Sequence, residues 1–376
     1  MKFIHLSDLH LGKRLNDFSL IEDQEYVLKQ ILEIIEDESP RGVLIAGDVY
    51  DKSVPTAEAI GLFDDFLTGL AEKRIPVFII SGNHDSAERL SFGSRLMNAS
   101  GVHIAGAYEG KVTPCVLRDS EGEVRIYMLP FFKPVTARRF HGEEAESYTD
   151  AMRLSIDAMN IDTSVRNILI AHQLVTGSDR SDSEEVSVGG TDDVALSVFD
   201  DFDYVALGHL HRPQDCTTER VRYCGTPLKY SFSEASDLKS LTVVDLPKKG
   251  SLSIRAIPLK PLRDMVEIKG KYDDIMQKSF YEGTTLRDDY VHITLTDEED
   301  IPDAIGRVRV IYRNVMKLDY DNIRTRSLGE VEIPVDNRSP LDLFADFYRM
   351  QNNKPMSDEQ AELMGKIIEN IWEDEI

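Results

Sequence analysis

Cysteine is scarce in this chain: only Cys115, Cys216 and Cys224 occur among 376 residues. An odd, sparse set without paired spacing excludes a disulfide scaffold and a thiolate zinc site. It leads us to expect reduced thiols in a cytoplasmic protein, with Cys216 and Cys224 buried. No apolar run approaches the roughly 20 residues that cross a bilayer, so no membrane association is expected. The first residues, Met1-Lys2-Phe3-Ile4-His5-Leu6-Ser7, lack the apolar segment and cleavage site of a signal peptide. Internal repeats and low-complexity tracts are absent. Positive charge is also short, with 43 Lys and Arg against 67 Asp and Glu and a net charge of −24. A protein that binds nucleic acid alone usually shows a basic face, and phosphate is repelled at long range by so acidic a molecule. Action on nucleic acid would need either a locally positive, metal-assisted cleft or a partner that supplies the basic surface.

What is present is an ordinary globular balance, 41% hydrophobic and 29% charged, in a chain long enough for two or three units. Apolar runs at Phe3–Leu6, 42–46 and 77–80 read as buried strands. Amphipathic stretches at 21–36, where Tyr26, Val27, Gln30, Ile31 and Ile34 recur at helical spacing, and at 56–72 read as helices between them. This alternation predicts a largely parallel sheet covered by helices. Further on, 112–117 and 124–129 predict a hairpin around Asp119–Gly122, and 148–159 a helix. Residues 167–171 and 204–207 predict two more buried strands, and 241–245 and 252–257 a closing pair. The polar stretch 177–193 reads as a loop near the site. Prolines 258 and 261 mark a boundary, so we divide the chain into 1–260, a small α+β unit at 262–330 with a helix at 300–311, a linker at 331–338 and a helical segment at 339–376. In the last, Ser339-Pro340 and Ser357-Asp358-Glu359-Gln360 are helix-start signals. Its apolar stripes are Leu341, Phe344, Phe347, Tyr348 and Met364, Ile367, Ile368, Ile371, Trp372. Two short helices cannot build a core alone and need something to dock on.

The chemistry gathers where the strands end. Asp8 and His10, Asp48, Asn83, His172, and His209 with His211 are metal-ligand types at five predicted strand ends. Residues two apart in an extended segment point the same way, so Asp8 with His10 and His209 with His211 are expected to converge. Seven such groups exceed the need of one ion and suit two, about 3.5–4 Å apart, with Asp48 as the bridging carboxylate. Imidazole, carboxylate and amide donors favour manganese, iron or zinc over calcium. Two such ions acidify a coordinated water and neutralise a phosphate oxygen, which makes phosphoester hydrolysis the expected reaction. His84, next to Asn83, is placed to protonate the leaving alkoxide, with Asp85 or Asp51 expected to orient its ring. Lys13, Arg14, Arg89, Arg212 and the pair Arg138-Arg139 are candidate phosphate contacts. His5, His103, His141 and His292 fit no cluster and are expected to be structural or solvated.

The set D-x-H, G-D-x-x-D, G-N-H-D, H and G-H-x-H is complete at Asp8, Gly47, Gly82, His172 and Gly208. It resembles the calcineurin-like metallophosphoesterases. Within them, Ser-Asp-Leu-His-Leu-Gly-Lys at 7–13, Ala-Gly-Asp-Val-Tyr-Asp at 46–51, Gly-His-Leu-His-Arg-Pro-Gln at 208–214 and Ser-Pro-Leu-Asp-Leu-Phe at 339–344 resemble the SbcD nuclease subunits along nearly the whole chain. The resemblance implies an α/β sandwich of two mixed sheets flanked by helices, a DNA-holding cap at 262–330 and a C-terminal helical pair. It implies one metal on Asp8, His10, Asp48 and His211 and another on Asp48, Asn83, His172 and His209, with manganese as the working ion and His84 as the catalytic histidine. It also implies a homodimer through nuclease-domain helices, for which 56–72 and 86–99 are the candidates. A coiled-coil ATPase partner, SbcC, gripped by the helical pair, would complete a heterotetramer. The implied activity is ATP-dependent exonuclease at duplex ends and endonuclease at hairpins and blocked ends, in a cytoplasmic, nucleoid-associated complex. Asp51 stands where some relatives carry histidine. The alternative is a stand-alone phosphodiesterase or phosphatase, although phosphatases typically continue G-D-x-x-D with Arg-Gly where this chain has Lys52-Ser53.

Overall fold

The computed structural model describes residues 1–142, 144–179, 193–323, 340–352 and 354–373. Most of the polar stretch 177–193, the linker 331–338 and the Ser339 start signal lie outside the described residues. The chain divides into two compact units, Met1–Asp264 and Met265–Ile376.

The first unit holds two six-stranded sheets. One runs, edge to edge, Ser253–Pro258, Ser240–Asp245, Lys2–Leu6, Gly42–Ala46, Val77–Ile80 and Val102–Ala105. Its last four strands are parallel, and Ser240–Asp245 joins antiparallel to Lys2–Leu6, with Phe3 opposite Val244. The other runs Gln214–Cys216, Thr218–Tyr223, Tyr204–Gly208, Arg166–His172, Gly122–Leu129 and Cys115–Asp119. Side-chain alternation along each strand packs the sheets face to face. Phe3, Leu44, Phe78 and Ile80 of the first meet Ile126, Ile168, Ile170 and Ala206 of the second in one core. On the second sheet's opposite face, Leu169, Ala171, Val205 and Leu207 pack with Ala151, Met152 and Ile156 of the helix Tyr148–Asp157. The first sheet's outer residues Val43, Ile45 and Ile79 are also fully buried. This is what a sheet covered by crossover helices requires. Two such helices, Ile21–Glu38 and Ala57–Glu72, follow the first and second parallel strands and bury Val27, Ile31, Ile35 and Phe63, Phe66, Leu70.

Most of these elements fall within two residues of expectation, and two differ by more. The hairpin begins at Cys115 and pairs Cys115 with Ile126 through Asp119 with Gly122, because Pro114 has no amide to enter the ladder. The helix expected at 300–311 is only Ala304–Arg309, since Pro302 precedes Asp303, whose φ of 51° breaks the helical path.

The second unit has three parallel strands, Met265–Gly270, Tyr290–Leu295 and Asn314–Tyr320. Ile268, Val291, Ile293, Val308, Tyr312 and Val315 form its core. It also carries the helices Pro340–Asn352 and Asp358–Glu373. Among residues of this pair whose burial is described, none is buried, and Leu343, Phe347, Leu363 and Ile367 are 48%, 52%, 59% and 40% exposed.

Candidate metal centre

The carboxyl ends of five parallel strands deliver the site. Asp8 and His10 follow Lys2–Leu6, Asp48 follows Gly42–Ala46, and Asn83 and His84 follow Val77–Ile80. From the other sheet, His172 ends Arg166–His172, and His209 and His211 follow Tyr204–Gly208. The sequence reading has Asp8 and His10 converge by strand alternation, and the structure shows that they do not. Both lie in turns of left-handed backbone, with φ of 52° and 44°; Asp48 has φ 49° and His209 φ 105°. Four of the site's residues thus adopt a backbone that non-glycine residues avoid, strain concentrated at the strand ends that carry ligand-type side chains. The turns lock together through Asp8 N–H to Gly47 O at 3.0 Å and His10 N–H to Asp48 O at 2.9 Å.

Asp48 stands at the centre, 2% exposed. Its Oδ2 lies 3.4 Å from His172 Nε2, 3.8 Å from His10 Nε2 and 4.0 Å from His84 Nε2. Its Oδ1 accepts the His84 amide at 2.9 Å. On one side His10 Nε2 faces His211 Nε2 at 3.2 Å. On the other, His172 Nε2 and His209 Nδ1 both point at Asn83 Oδ1, at 2.9 and 3.0 Å. Asp8 receives the His209 amide at 3.0 Å. Space for this crowding comes from glycine: a Cβ at Gly82 would strike the Asp48 carboxylate, and one at Gly208 would strike the Ala46 carbonyl.

Burial lowers His10 far below its usual range, reinforced by neighbouring imidazoles, and takes His209 down to about 3. Both shifts favour the neutral ring, the form that can donate to a cation. Burial also opposes a charged His172, but the Asp48 carboxylate prevails and raises it to about 9. Asp8 is raised to about 6, chiefly by burial. Burial would raise Asp48 as well, yet the imidazoles around it hold it well below the carboxylate range.

The donors fit divalent cations. Ligand atoms of Asp8, His10 and His211, of His10, Asp48 and His84, and of Asp8, Asp48 and His172 lie within 4.8 Å of one another in each group. Paired imidazole nitrogens 3.2 Å apart in a buried site are an arrangement that a shared cation satisfies.

His84 is held differently from expectation. Its Nδ1 lies 3.0 Å from the main-chain carbonyl of Asp51, so neither the Asp51 nor the Asp85 carboxylate is the partner that orients the ring. Asp51 instead pairs with Lys13 at 2.7 Å. Asp85 accepts three amides, from Val49, Tyr50 and Gly82, at 3.1, 2.9 and 2.9 Å, and so ties the Asp48 turn to the Asn83 turn. Lys13, Asp51, Lys52, Ser53, Asn83 and His84 line a cavity of about 540 Å³. Of the other basic candidates, Arg14 holds the Asp17 carbonyl, Arg212 pairs with Asp237 at 3.0 Å, Arg138 binds the Ala145 and Glu146 carbonyls, and Arg89 and Arg139 are exposed.

Sequence reading missed two supports. Gln24 accepts the Gly12 amide and donates to the His10 carbonyl at 2.9 and 2.8 Å, fixing the first ligand loop from a helix. Glu234 lies 3.1 Å from His211 Nδ1. A polar residue on the predicted buried face of a helix was the one available signal for Gln24; Glu234, in a serine-rich turn, gave none.

Residues 1–213 match the calcineurin-like phosphoesterase family, and the chain belongs to that family. Residues 261–352 match the type 5 capsule protein repressor C-terminal domain, SbcD_C. The SbcD subunit of the SbcCD nuclease of Staphylococcus epidermidis is 34% identical over 383 residues, covering the whole of both chains, and places this chain among the SbcD proteins. Of solved structures, TT1561 of Thermus thermophilus and a dimetal phosphatase from Danio rerio are each 12% identical. They align over 68% and 69% of this chain and 98% of their own, both with a TM-score of 0.41, a likeness too low to add weight. No helix among the described residues is long and apolar enough to cross a membrane.

Proposed function

We propose that this chain is the nuclease subunit of an SbcCD-type complex and hydrolyses DNA phosphodiester bonds at duplex ends and hairpins. One divalent ion is assigned to Asp8, His10, Asp48 and His211, and a second to Asp48, Asn83, His172 and His209, with manganese as the working metal. The single observation that carries this reading is Asp48 Oδ2, within 3.4 to 4.0 Å of three imidazoles drawn from both sheets. When bound, two such ions acidify water and neutralise phosphate charge. The protein's own part is orientation and proton transfer. Water gives up a proton to solvent as its oxygen adds to phosphorus, the bond to the leaving sugar oxygen breaks, and His84 Nε2 gives that oxygen its proton while Nδ1 stays anchored on Asp51 O. Lys13, at the cavity wall, is the basic residue assigned to a substrate phosphate.

The surrounding assembly belongs to the same proposal. The exposed faces of Phe347 and Ile367 on the C-terminal helices support docking to the SbcC ATPase, which would also supply the basic DNA surface that a net charge of −24 denies this chain. Phe92, between the short helices Ala87–Leu90 and Ser94–Met97, and Leu96, in the second of them, are each 83% exposed and support a homodimer and hence a heterotetramer at the nucleoid. Residues 262–330 are assigned as the DNA-holding cap.

Purified protein with manganese is to be assayed on 3′-labelled duplex, hairpin DNA, phosphopeptide and bis-p-nitrophenyl phosphate. The expected result is nucleotide release that His84→Gln abolishes. Phosphopeptide turnover without DNA cleavage would instead identify a phosphatase. Truncation after Asn337 is expected to abolish SbcC association and preserve bis-p-nitrophenyl phosphate hydrolysis; unchanged association refutes the docking assignment.

A further inference from the structure

We propose that Glu234, locked by Lys239, is a positioning residue that holds the His211 ring with its proton on Nδ1 and its Nε2 lone pair facing Asp8 and His10. It thereby sets the affinity of one of the two metal positions. This inference rests on the two-metal reading above.

Glu234 ends the short turn Phe232–Glu234 and is fully buried. Its Oε1 lies 3.1 Å from His211 Nδ1, and its Oε2 accepts from Lys239 Nζ at 2.6 Å and from the Tyr230 amide at 3.3 Å. An ionised carboxylate only accepts hydrogen bonds, so the proton on the facing ring nitrogen must be on His211. Lys239 Nζ, against Oε2, supplies the cation that a buried carboxylate needs, so the contact is that of an ion pair with Glu234 as its accepting partner. With Nδ1 committed as a donor, Nε2 is the nitrogen left to accept a cation, and it is the nitrogen that faces His10 Nε2 at 3.2 Å.

The same network also grips the backbone of His211. Lys239 Nζ donates to the His211 carbonyl at 2.9 Å, and the Thr226 amide donates to it at 3.1 Å. Lys239 further lies 3.8 Å from Asp237, which pairs with Arg212 at 3.0 Å. His211 is therefore fixed at ring and carbonyl by one buried lysine–glutamate pair. His172 is oriented differently, through Nδ1 to the Ala46 carbonyl at 2.8 Å, a main-chain acceptor that no substitution removes. The two metal positions consequently differ in how their imidazoles are held, and a change at Glu234 acts on one of them selectively. Partners of this kind commonly set metal affinity by about 10- to 100-fold.

Three measurements on the full chain test this. Parent protein titrated with manganese, followed by calorimetry and by electron paramagnetic resonance, must first show two ions; a single ion defeats the two-metal reading itself. Long-range proton–nitrogen NMR of metal-free parent, with His211 assigned by His211→Gln, is expected to show the Nδ1–H form, and the Nε2–H form overturns the inference without any change at Glu234. The double substitution Glu234→Leu with Lys239→Met replaces the buried pair by apolar groups of similar size. It is expected to weaken one manganese site at least 10-fold and leave the other within about threefold. Should it not fold, Glu234→Gln, which keeps an acceptor but loses the charge, is expected to weaken the same site by a smaller factor. Two unchanged affinities in either folded variant overturn the inference.

Discussion

Replacing Gly82 by alanine forces a methyl group into the Asp48 carboxylate. The added Cβ would lie 2.7 Å from Asp48 Cγ and closer still to its Oδ1 and amide nitrogen. None of these neighbours can yield cheaply. Asp48 is 2% exposed, its backbone is already left-handed, and its Oδ1 holds the His84 amide at 2.9 Å. Relief must come from separating the turns after Gly42–Ala46 and Val77–Ile80. Overpacking of this kind costs about 1–3 kcal/mol, and loss of a charge-assisted hydrogen bond about 1.5–3 kcal/mol more. We therefore expect Gly82→Ala to lose roughly 2.5–6 kcal/mol in urea unfolding followed by circular dichroism, with chelator present so that metal loss is not counted twice. A displacement of about 1 Å at Asp48 should also lower bis-p-nitrophenyl phosphate turnover by at least ~100-fold. Gly61→Ala is the control: nothing lies within 4 Å of its added Cβ, on the helix Ala57–Glu72, and alanine there should gain about 0.5–1 kcal/mol. A Gly82→Ala protein as stable as its parent and turning over within twofold would refute the crowding argument.

Three further outcomes follow from the same contacts. Burial, helped by the Arg222 charge, depresses buried His5 to about 3, while the unfolded chain titrates near 6.5. The unfolded state alone takes up this proton as pH falls below 6.5, so stability drops towards pH 3; metal-free His5→Gln should lose about 2 kcal/mol less than parent between pH 6 and 4.5 by urea unfolding. Asp85→Ala strands the amides of Val49, Tyr50 and Gly82 and should cost at least about 3 kcal/mol by the same assay. Manganese at about 100 times its dissociation constant should raise parent stability by about 2.7 kcal/mol per site, a gain that chelator reverses and that Asp48→Asn largely lacks.

The strands Gly42–Ala46, Val77–Ile80 and Tyr204–Gly208 were legible in the sequence because each is a dense apolar run closed by glycine or polar turn residues. The strand Val102–Ala105, the helix Pro134–His141, the edge strand Gln214–Cys216 and its neighbour Thr218–Tyr223 were not. They are short or half-polar, and tertiary pairing rather than local pattern holds them. Nor could local pattern show that Ser240–Asp245 lies beside Lys2–Leu6, a partner more than 200 residues away. At the site, ligand-type residues announced themselves by spacing, and the structure brings the seven together, with Asp48 at the centre. Their means of convergence was hidden, because left-handed turns at Asp8, His10 and Asp48 have no strand-like signature. The orienting groups were hidden for a related reason. His84 is held by a main-chain carbonyl and His211 by a glutamate 23 residues on, and neither a carbonyl nor a distant acid stands out in a string of letters.

The most direct measurement is anomalous diffraction at the manganese edge from crystals grown with manganese. The expected map has two peaks about 3.5–4 Å apart, one against Asp8, His10 and His211, the other against Asn83, His172 and His209, with Asp48 touching both. A single peak, or two peaks that do not share Asp48, would contradict the two-metal centre on which the proposed chemistry depends.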